Sequence, residues 1–164
     1  MTDRTGLSGW VHKLAGPDLE MECAGLDPLR TGEAVMTAGY RLPARYGYSM
    51  CFIESCRHVI HTVAPRYKPQ YRTAAENALH HCYRNSFQLV KESQLTNLAF
   101  PCIQSSKSYP KEDACHIAVR TVRRLLERWC DGIDCIILVV ANDNEWDLYQ
   151  SILPLYFPRY WIAF

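Results

Sequence analysis

The sequence predicts an α/β fold in which helices cover both faces of a sheet. Strand and helix patterns alternate along the chain, and loops of ordinary length join them. The chain has 164 residues, enough for one domain, and its 48% hydrophobic and 21% charged residues are typical of a globular protein. Ile133–Ala141 is the most hydrophobic strand candidate, so we expect it at the centre of the sheet.

Two short helices are predicted ahead of the first strand. Gly and Pro separate them, because Gly suits the end of a helix and Pro suits the first turn of the next one. β-Branched and apolar residues then predict two strands. These first elements are helices at Ser8–Ala15 and Asp18–Cys23, followed by strands at Glu33–Thr37 and His58–Val63.

The third helix is predicted to begin at a capping box that runs from Thr73 to Glu76. Apolar and small residues then recur at spacings of four and three, which predicts one buried stripe. The members of that stripe are Ala75, Leu79, Cys82, Ser86 and Leu89.

Two more helices alternate with two strands in the rest of the chain. Pro101 falls inside one strand candidate and predicts an edge or an irregular end there. The predicted order is a strand at Leu98–Ile103, a helix opening at Pro110, the strand at Ile133–Ala141, and a helix from the turn at Asn142–Glu145 to Leu153.

The charge of the chain is balanced overall and uneven locally. Lys and Arg total 18 and Asp and Glu 17, so the formal net charge of +1 excludes a polybasic membrane anchor or a nucleic-acid arm at the level of the whole chain. Six bases face one acid from Arg57 to Lys91, and five acids face one base from Asp131 onward. This pattern is typical of solvated helix faces; the alternative is a weak field that guides an anionic ligand.

Eight cysteines with no secretory signal at the start of the chain predict a reducing compartment, the cytoplasm or the nucleus. Cys51, Cys56, His58 and His61 are zinc-ligand types, but a single residue separates their pairs, too few to wrap a metal. The two histidines would also point to opposite faces of a strand. We therefore predict no metal site, no cofactor and no catalytic residue, and no apolar run is long enough to span a bilayer.

A polar segment between the strand at Leu98–Ile103 and the helix at Pro110 is a candidate anion-binding loop. Ligands of open α/β sheets bind beyond the carboxyl ends of the strands, and a helix N-terminus offers unpaired N–H groups. The loop residues are Ser105, Ser106, Lys107, Ser108 and Tyr109. The alternative interpretation is a plain polar connection between strand and helix.

Two sets of motifs resemble those of a known family. The first set, Gly6–Pro17, Arg30–Ala34, Tyr40–Arg45 and Val59–Val63, resembles the macro domain. The second set is similar to the ganglioside-induced differentiation-associated protein 2 family of macro domains: Tyr71–Glu76, Cys82–Asn85, His116–Arg124 and Leu153–Arg159. The resemblance implies a three-layer α/β/α sandwich with a mixed sheet that binds ADP-ribose or a related nucleotide. Some macro domains also remove ADP-ribose from proteins.

The resemblance also implies where a ligand would bind. Gly6, Leu7, Ser8 and Gly9 match the Gly-rich loop, residues 105–109 match the phosphate loop, and Asn142 stands where many macro domains place an aromatic over the distal ribose. Ser8 replaces the Asp of hydrolytic members and cannot act as a carboxylate base. The phosphate loop lacks the family's glycines, so side chains would crowd the diphosphate.

These departures predict a degenerate binding or scaffold module whose affinity for ADP-ribose is weak or lost. The alternatives are an ADP-ribosyl hydrolase and a surface for RNA or poly(ADP-ribose), built from the bases of Arg57–Lys91 and Arg120–Arg128. Expected partners are ADP-ribose or a related nucleotide and a protein, with nucleic acid disfavoured and the oligomeric state open.

The resemblance further predicts how the chain is divided. Residues 1–159 form a macro-like domain that begins after the family's N-terminal strands, residues 47–57 are an insertion, and residues 160–164 are a divergent tail. We expect a product of alternative splicing or an uncertain gene model. Loss of a central strand predicts weak folding, because a domain of this size is stable by only about 5–15 kcal/mol.

Overall fold

The computed structural model describes residues 6–42, 56–103, 109–129 and 131–158. Residues 47–55 of the predicted insertion at 47–57, the loop at 104–108 and the tail at 160–164 lie outside these ranges. Helices and strands follow one another within the described residues in this order: α1 Gly6–Ala15, α2 Pro17–Ala24, β1 Ala34–Ala38, β2 His58–Thr62, a 3₁₀ helix Pro69–Tyr71, α3 Arg72–Glu92, β3 Asn97–Pro101, α4 Lys111–Trp129, β4 Cys135–Val139 and α5 Asp143–Tyr156.

The predicted α/β class is confirmed, and the chain contains both antiparallel and parallel strand pairs. β1 and β2 form one sheet, and the backbone bonds from Gly32 to Val63 and from Gly39 to Arg57 make the pair antiparallel. β3 and β4 form the other, a parallel pair in register from Asn97 opposite Cys135 to Pro101 opposite Val139.

Three details of the predicted elements are wrong. The capping box at Thr73 is one, because α3 begins at Arg72, its N-cap Tyr71 makes no side-chain bond, and Glu76 pairs instead with the Arg72 guanidinium at 2.8 Å. The end of the last helix is another, because α5 passes through Pro154 and ends one turn later.

The third concerns β4, which was expected at the centre of the sheet. Among the described residues β4 pairs with β3 alone, and all five of its residues are partly exposed. With one strand neighbour in the part of the chain that the structure describes, β4 is less buried than its hydrophobicity predicted.

Contacts divide the chain into two compact units, of which the first comprises residues 1–29 and 35–61. In this unit Ala15 and Leu19 are fully buried. Gly16 separates α1 from α2 at a φ of +88°, a conformation that favours glycine, and its N–H bonds to the His12 carbonyl at 3.1 Å. The Glu22 carboxylate accepts bonds from Ala38 N and the Tyr40 hydroxyl, which joins α2 to the end of β1.

The second unit comprises residues 30–34 and 62–164, and α4 packs between α3 and α5 within it. α4 has two apolar faces, each of which belongs to a different core cluster. One face joins a core with α3 and β3, through Ala114, Ile117, Ala118 and Val122. The other joins a core with α5, through Cys115 and Val119. None of the helices in the described ranges is both long and apolar enough to cross a membrane.

Candidate functional site

The carboxyl ends of β3 and β4 form one edge of the second unit. Because the two strands are parallel and in register, the segments that follow them emerge side by side. The segment after β3 leads to the start of α4, and the segment after β4 leads directly into α5. This arrangement of strand ends and helix N-termini is where open α/β sheets bind ligands.

Asn142 caps α5 at this edge. Its side-chain oxygen accepts a bond from Glu145 N at 3.0 Å, and the Glu145 carboxylate accepts one from Ala141 N at 3.0 Å. The two residues therefore satisfy backbone donors reciprocally at the helix start. Asn142 is exposed, whereas Glu145 is only 9% exposed. The role of Asn142 in ligand binding stays a prediction, and its structural role as a cap is evident.

A small crevice lies beside this cap, between the end of β3 and helices α4 and α5. Its polar lining is Tyr83, Cys102, Lys111, Glu145 and Tyr149. Burial raises the pKa of the Cys102 thiol and of the two tyrosine hydroxyls, so these groups are neutral near pH 7. The neutral thiol and hydroxyls can donate hydrogen bonds within the crevice.

Tyr109 is a core residue at the start of the segment leading into α4. It is 4% exposed, and its ring lies 4.9 Å from the ring of Tyr67. Its hydroxyl has no hydrogen-bond partner among the described residues, and burial raises its pKa to about 12. Tyr109 is thus a core residue, and the other residues of the predicted phosphate loop, Ser105, Ser106, Lys107 and Ser108, lie outside the described residues.

The predicted Gly-rich segment belongs to the first unit. Gly6, Leu7, Ser8 and Gly9 form the first turn of α1. Leu7 and Ser8 are exposed, and Leu7 keeps 55% of its surface accessible. A helix start of this kind presents free backbone N–H groups to solvent. Tyr109 and Asn142 belong to the second unit, so the predicted site residues are divided between the two.

The structure brings together a Cys–His group that the sequence interpretation missed. The ligand atoms of His12, Cys23 and His61 lie within 4.8 Å of one another in the first unit. His61 Nε2 is 3.8 Å from Cys23 Sγ and 3.0 Å from the hydroxyl of the buried Thr37. The three residues lie on α1, α2 and β2, so this grouping depends on the packing of the two helices on the strand, which sequence spacing does not reveal.

These three side chains are types that bind zinc, yet the Thr37 hydroxyl already occupies the imidazole nitrogen that faces Cys23. Burial is the main cause that lowers the pKa of His61, and the neutral ring suits a hydrogen bond. We interpret the group as polar packing that holds α1 and α2 on β2. Of the four-residue set considered from sequence, Cys56 donates to the His58 carbonyl, and Cys51 lies outside the described residues.

The fold and this edge of parallel strands are those of macro domains. A model of the macro domain family matches residues 1–118, so the chain belongs to the macro domain family. Over 160 residues it is 46% identical to ganglioside-induced differentiation-associated protein 2 of Homo sapiens, covering 97% of this chain and 30% of the relative. The chain thus spans less than a third of that protein's length.

Solved structures agree with this assignment. The crystal structure of the macro domain of ganglioside-induced differentiation-associated protein 2 is similar, with a TM-score of 0.85 and 45% identity over 96% of this chain and 73% of that one. A Trypanosoma brucei macrodomain in complex with ADP-ribose has a TM-score of 0.74 and 29% identity over 90% of this chain and 56% of that one. The sequence-based resemblance is confirmed, and macro domain homologues bind ADP-ribose.

Proposed function

We propose that this chain is an ADP-ribose-binding module of weak affinity that acts as a binding or scaffold element and does not hydrolyse ADP-ribose linkages. The observation that carries the proposal is the shared edge of β3 and β4, from which the chain continues toward α4 and into α5. Backbone donors at helix starts suit a diphosphate, and an exposed amide at Asn142 suits a ribose hydroxyl.

The low expected affinity follows from the residues that replace the family's glycines in the phosphate loop. Ser105, Ser106, Lys107 and Ser108 stand where the family has glycines, and their side chains would keep backbone N–H groups away from a diphosphate. Lys107 compensates in part with its positive charge. We therefore expect a site that attracts an anion but binds it with low affinity.

We expect no hydrolysis because of the residues that stand at the candidate positions for a general base. The family's hydrolytic members have an Asp where this chain has Ser8, and a serine hydroxyl cannot act as a carboxylate base. Glu145 is a carboxylate at the strand edge, but it is buried and accepts the Ala141 N–H, so its proton-accepting capacity serves the helix cap.

Calorimetric titration with ADP-ribose tests the binding proposal. Asn142→Asp keeps a capping oxygen but adds a negative charge, so it should weaken ADP-ribose binding about fivefold, equivalent to the roughly 1 kcal/mol between unit charges 4 Å apart in water. Gln150→Glu, an exposed site two turns along α5, is the matched control and should leave affinity unchanged. No saturable binding in the native chain, or equal weakening by both variants, would overturn the proposal.

A mono-ADP-ribosylated protein tests the second half of the proposal. We expect no release of ADP-ribose above the buffer rate. Release that depends on this chain would show that a hydrolase site exists, and the scaffold assignment would be wrong.

A further inference from the structure

The Cys–His group of the first unit joins three elements of the fold. His12 lies in the last turn of α1, Cys23 in the last turn of α2, and His61 on β2. Among the residues that the structure describes, this is the one set of three histidine, cysteine or carboxylate side chains whose ligand atoms all lie within 4.8 Å of one another. Folding therefore creates a cluster of metal-binding donors at this point of the chain.

The separations within the group are close to those that a tetrahedral zinc ion requires. Zinc lies about 2.3 Å from a sulfur ligand and about 2.0–2.1 Å from a nitrogen ligand, which places sulfur and nitrogen about 3.6 Å apart. Cys23 Sγ lies 3.8 Å from His61 Nε2. The ring centroids of His12 and His61 are 6.0 Å apart and the rings are tilted by 42°, so they are not stacked face to face. Small rotations of these partly exposed side chains would complete the geometry.

The types of donor favour zinc over the common hard cations. Imidazole nitrogen and thiolate sulfur suit zinc, whereas magnesium and calcium prefer oxygen ligands. A thiol loses its proton when it coordinates a metal, and the thiolate then neutralises one of the two positive charges. Three protein ligands leave one tetrahedral position, which water can fill because all three side chains are partly exposed.

The Glu22 carboxylate places negative charge next to the group. It accepts bonds from Ala38 N at 3.1 Å and from the Tyr40 hydroxyl at 2.9 Å, which fix its position. Burial is the main cause of the pKa shifts of Cys23 and His61, and the charge of Glu22 acts to raise the pKa of both. This fixed carboxylate would therefore attract a cation to the group.

The Thr37 hydroxyl competes with a metal for one of the donors. In the metal-free chain it lies 3.0 Å from His61 Nε2, and the three side chains of the group act as polar packing. The same hydroxyl also lies 3.4 Å from the Val59 carbonyl oxygen, to which it can donate. Thr37 therefore keeps a hydrogen-bond partner when the His61 nitrogen binds a metal, so the exchange leaves no buried hydroxyl unpaired.

We propose that His12, Cys23 and His61 bind a zinc ion, with water in the fourth coordination position. The ion would link α1 and α2 to β2 and stabilise the first unit, because a ligand that binds only the folded chain favours that state. This inference does not depend on the proposed function, which is carried by the edge of β3 and β4 in the second unit.

The test begins with the chain freed of metal by a chelator and titrated with zinc by calorimetry. We expect one zinc ion to bind per chain and the midpoint of thermal unfolding to rise as zinc is added. Cobalt(II) serves as a spectroscopic probe of the same site. Its complex should show thiolate-to-metal charge-transfer absorption, which reports the Cys23 sulfur directly, and added zinc should abolish that absorption.

Two single substitutions each remove one ligand. Cys23→Ser should abolish the charge-transfer absorption and weaken zinc binding by more than the roughly 10–100-fold that loss of a supporting partner costs. His12→Gln should weaken zinc binding similarly. Circular dichroism checks that both variants fold. Because His12 is partly exposed, His12→Gln decides the question if Cys23→Ser does not fold.

The matched controls are Cys56→Ser and His58→Gln, which replace a cysteine and a histidine of the first unit outside the group. Both should bind zinc as the native chain does. The proposal would be overturned by the absence of saturable zinc binding, by a cobalt complex without thiolate absorption, or by controls that weaken binding as much as Cys23→Ser and His12→Gln. Magnesium binding as tight as zinc binding would also overturn it, because charge alone would then explain the attraction.

Discussion

The hydroxyl of Thr37 lies 3.0 Å from Nε2 of His61, and this contact joins the two strands of the first unit below helices α1 and α2. Thr37 is 2% exposed, so its hydroxyl needs a protein partner. Cys23 Sγ approaches the same nitrogen at 3.8 Å. Sequence spacing grouped His61 with Cys51, Cys56 and His58. In the structure, His61 contacts Thr37 and Cys23.

Thr37→Val should destabilise the chain by about 1–3 kcal/mol, because it removes the hydroxyl and leaves a buried imidazole nitrogen without that partner. Urea denaturation measures the change in the free energy of unfolding. Thr37→Ser keeps the hydroxyl and is the control. Equal stability of the Val and Ser variants would show that the bond to His61 contributes nothing.

Removal of the side-chain hydroxyl should affect the stability of the chain differently at two buried tyrosines. Tyr109→Phe should leave stability unchanged or raise it, because the Tyr109 hydroxyl has no partner in the part of the chain that the structure describes. Tyr83→Phe should cost about 1–2 kcal/mol, because the Tyr83 hydroxyl accepts the Ile103 N–H at 3.3 Å. Thermal unfolding compares the two, and a larger loss for Tyr109→Phe would contradict the assignment of its hydroxyl.

Asn142→Ala should lower stability by about 0.5–2 kcal/mol, since it removes the N-cap of α5. Asn142→Asp should retain most of the stability of the native chain because Asp also caps and places negative charge at a helix N-terminus. Denaturant midpoints of the three proteins check this order. If the Ala and Asp variants were equally stable, the side-chain cap would make no measurable contribution to stability.

Stability should decrease as the pH falls below about 6.5, the ordinary pKa of histidine. Burial is the main cause that lowers the pKa of His61 and His80 in the folded chain, so the unfolded chain binds protons there first. The loss should continue until the pH passes below the folded-state pKa values and then level off.

Urea denaturation midpoints measured from pH 7.5 down to about 5 test this loss of stability, because that range includes the pKa of histidine in the unfolded chain. His80→Gln removes one titrating group and should reduce the loss. His58→Gln, at an exposed position, is the control and should follow the native chain. Identical pH profiles for native and His80→Gln proteins would show that His80 does not contribute.

Much of the fold could be predicted because it depends on local patterns. The alternation of strands and helices, the Gly16 boundary and the cap at Asn142 follow from residues a few positions apart, and the structure contains each of them. The capping box at Thr73 failed although its spacing was suitable, because Arg72 competes for the Glu76 carboxylate. A capping pattern can therefore fail where a charged neighbour pairs with the same carboxylate.

The candidate site was predictable only in outline. The turn before α5 and its cap followed from sequence, but the burial of Glu145 beside Tyr149 and Cys102 depends on how α4 and α5 pack. The motif predicts that Tyr109 contacts a ligand. Its packing against Tyr67 shows that it is also a core residue. Motif position does not reveal which way an aromatic ring is turned.

By itself, the sequence determined the class of fold, the order of its elements and membership of the macro domain family, because periodicity and motifs are properties of neighbouring residues. Only the tertiary structure decided which distant residues meet. The contact of Thr37 with His61 needs strand pairing, and the contact of His80 with Thr121, 41 positions apart in sequence, needs α3 to pack against α4. Such contacts depend on packing across the chain, which no local pattern specifies.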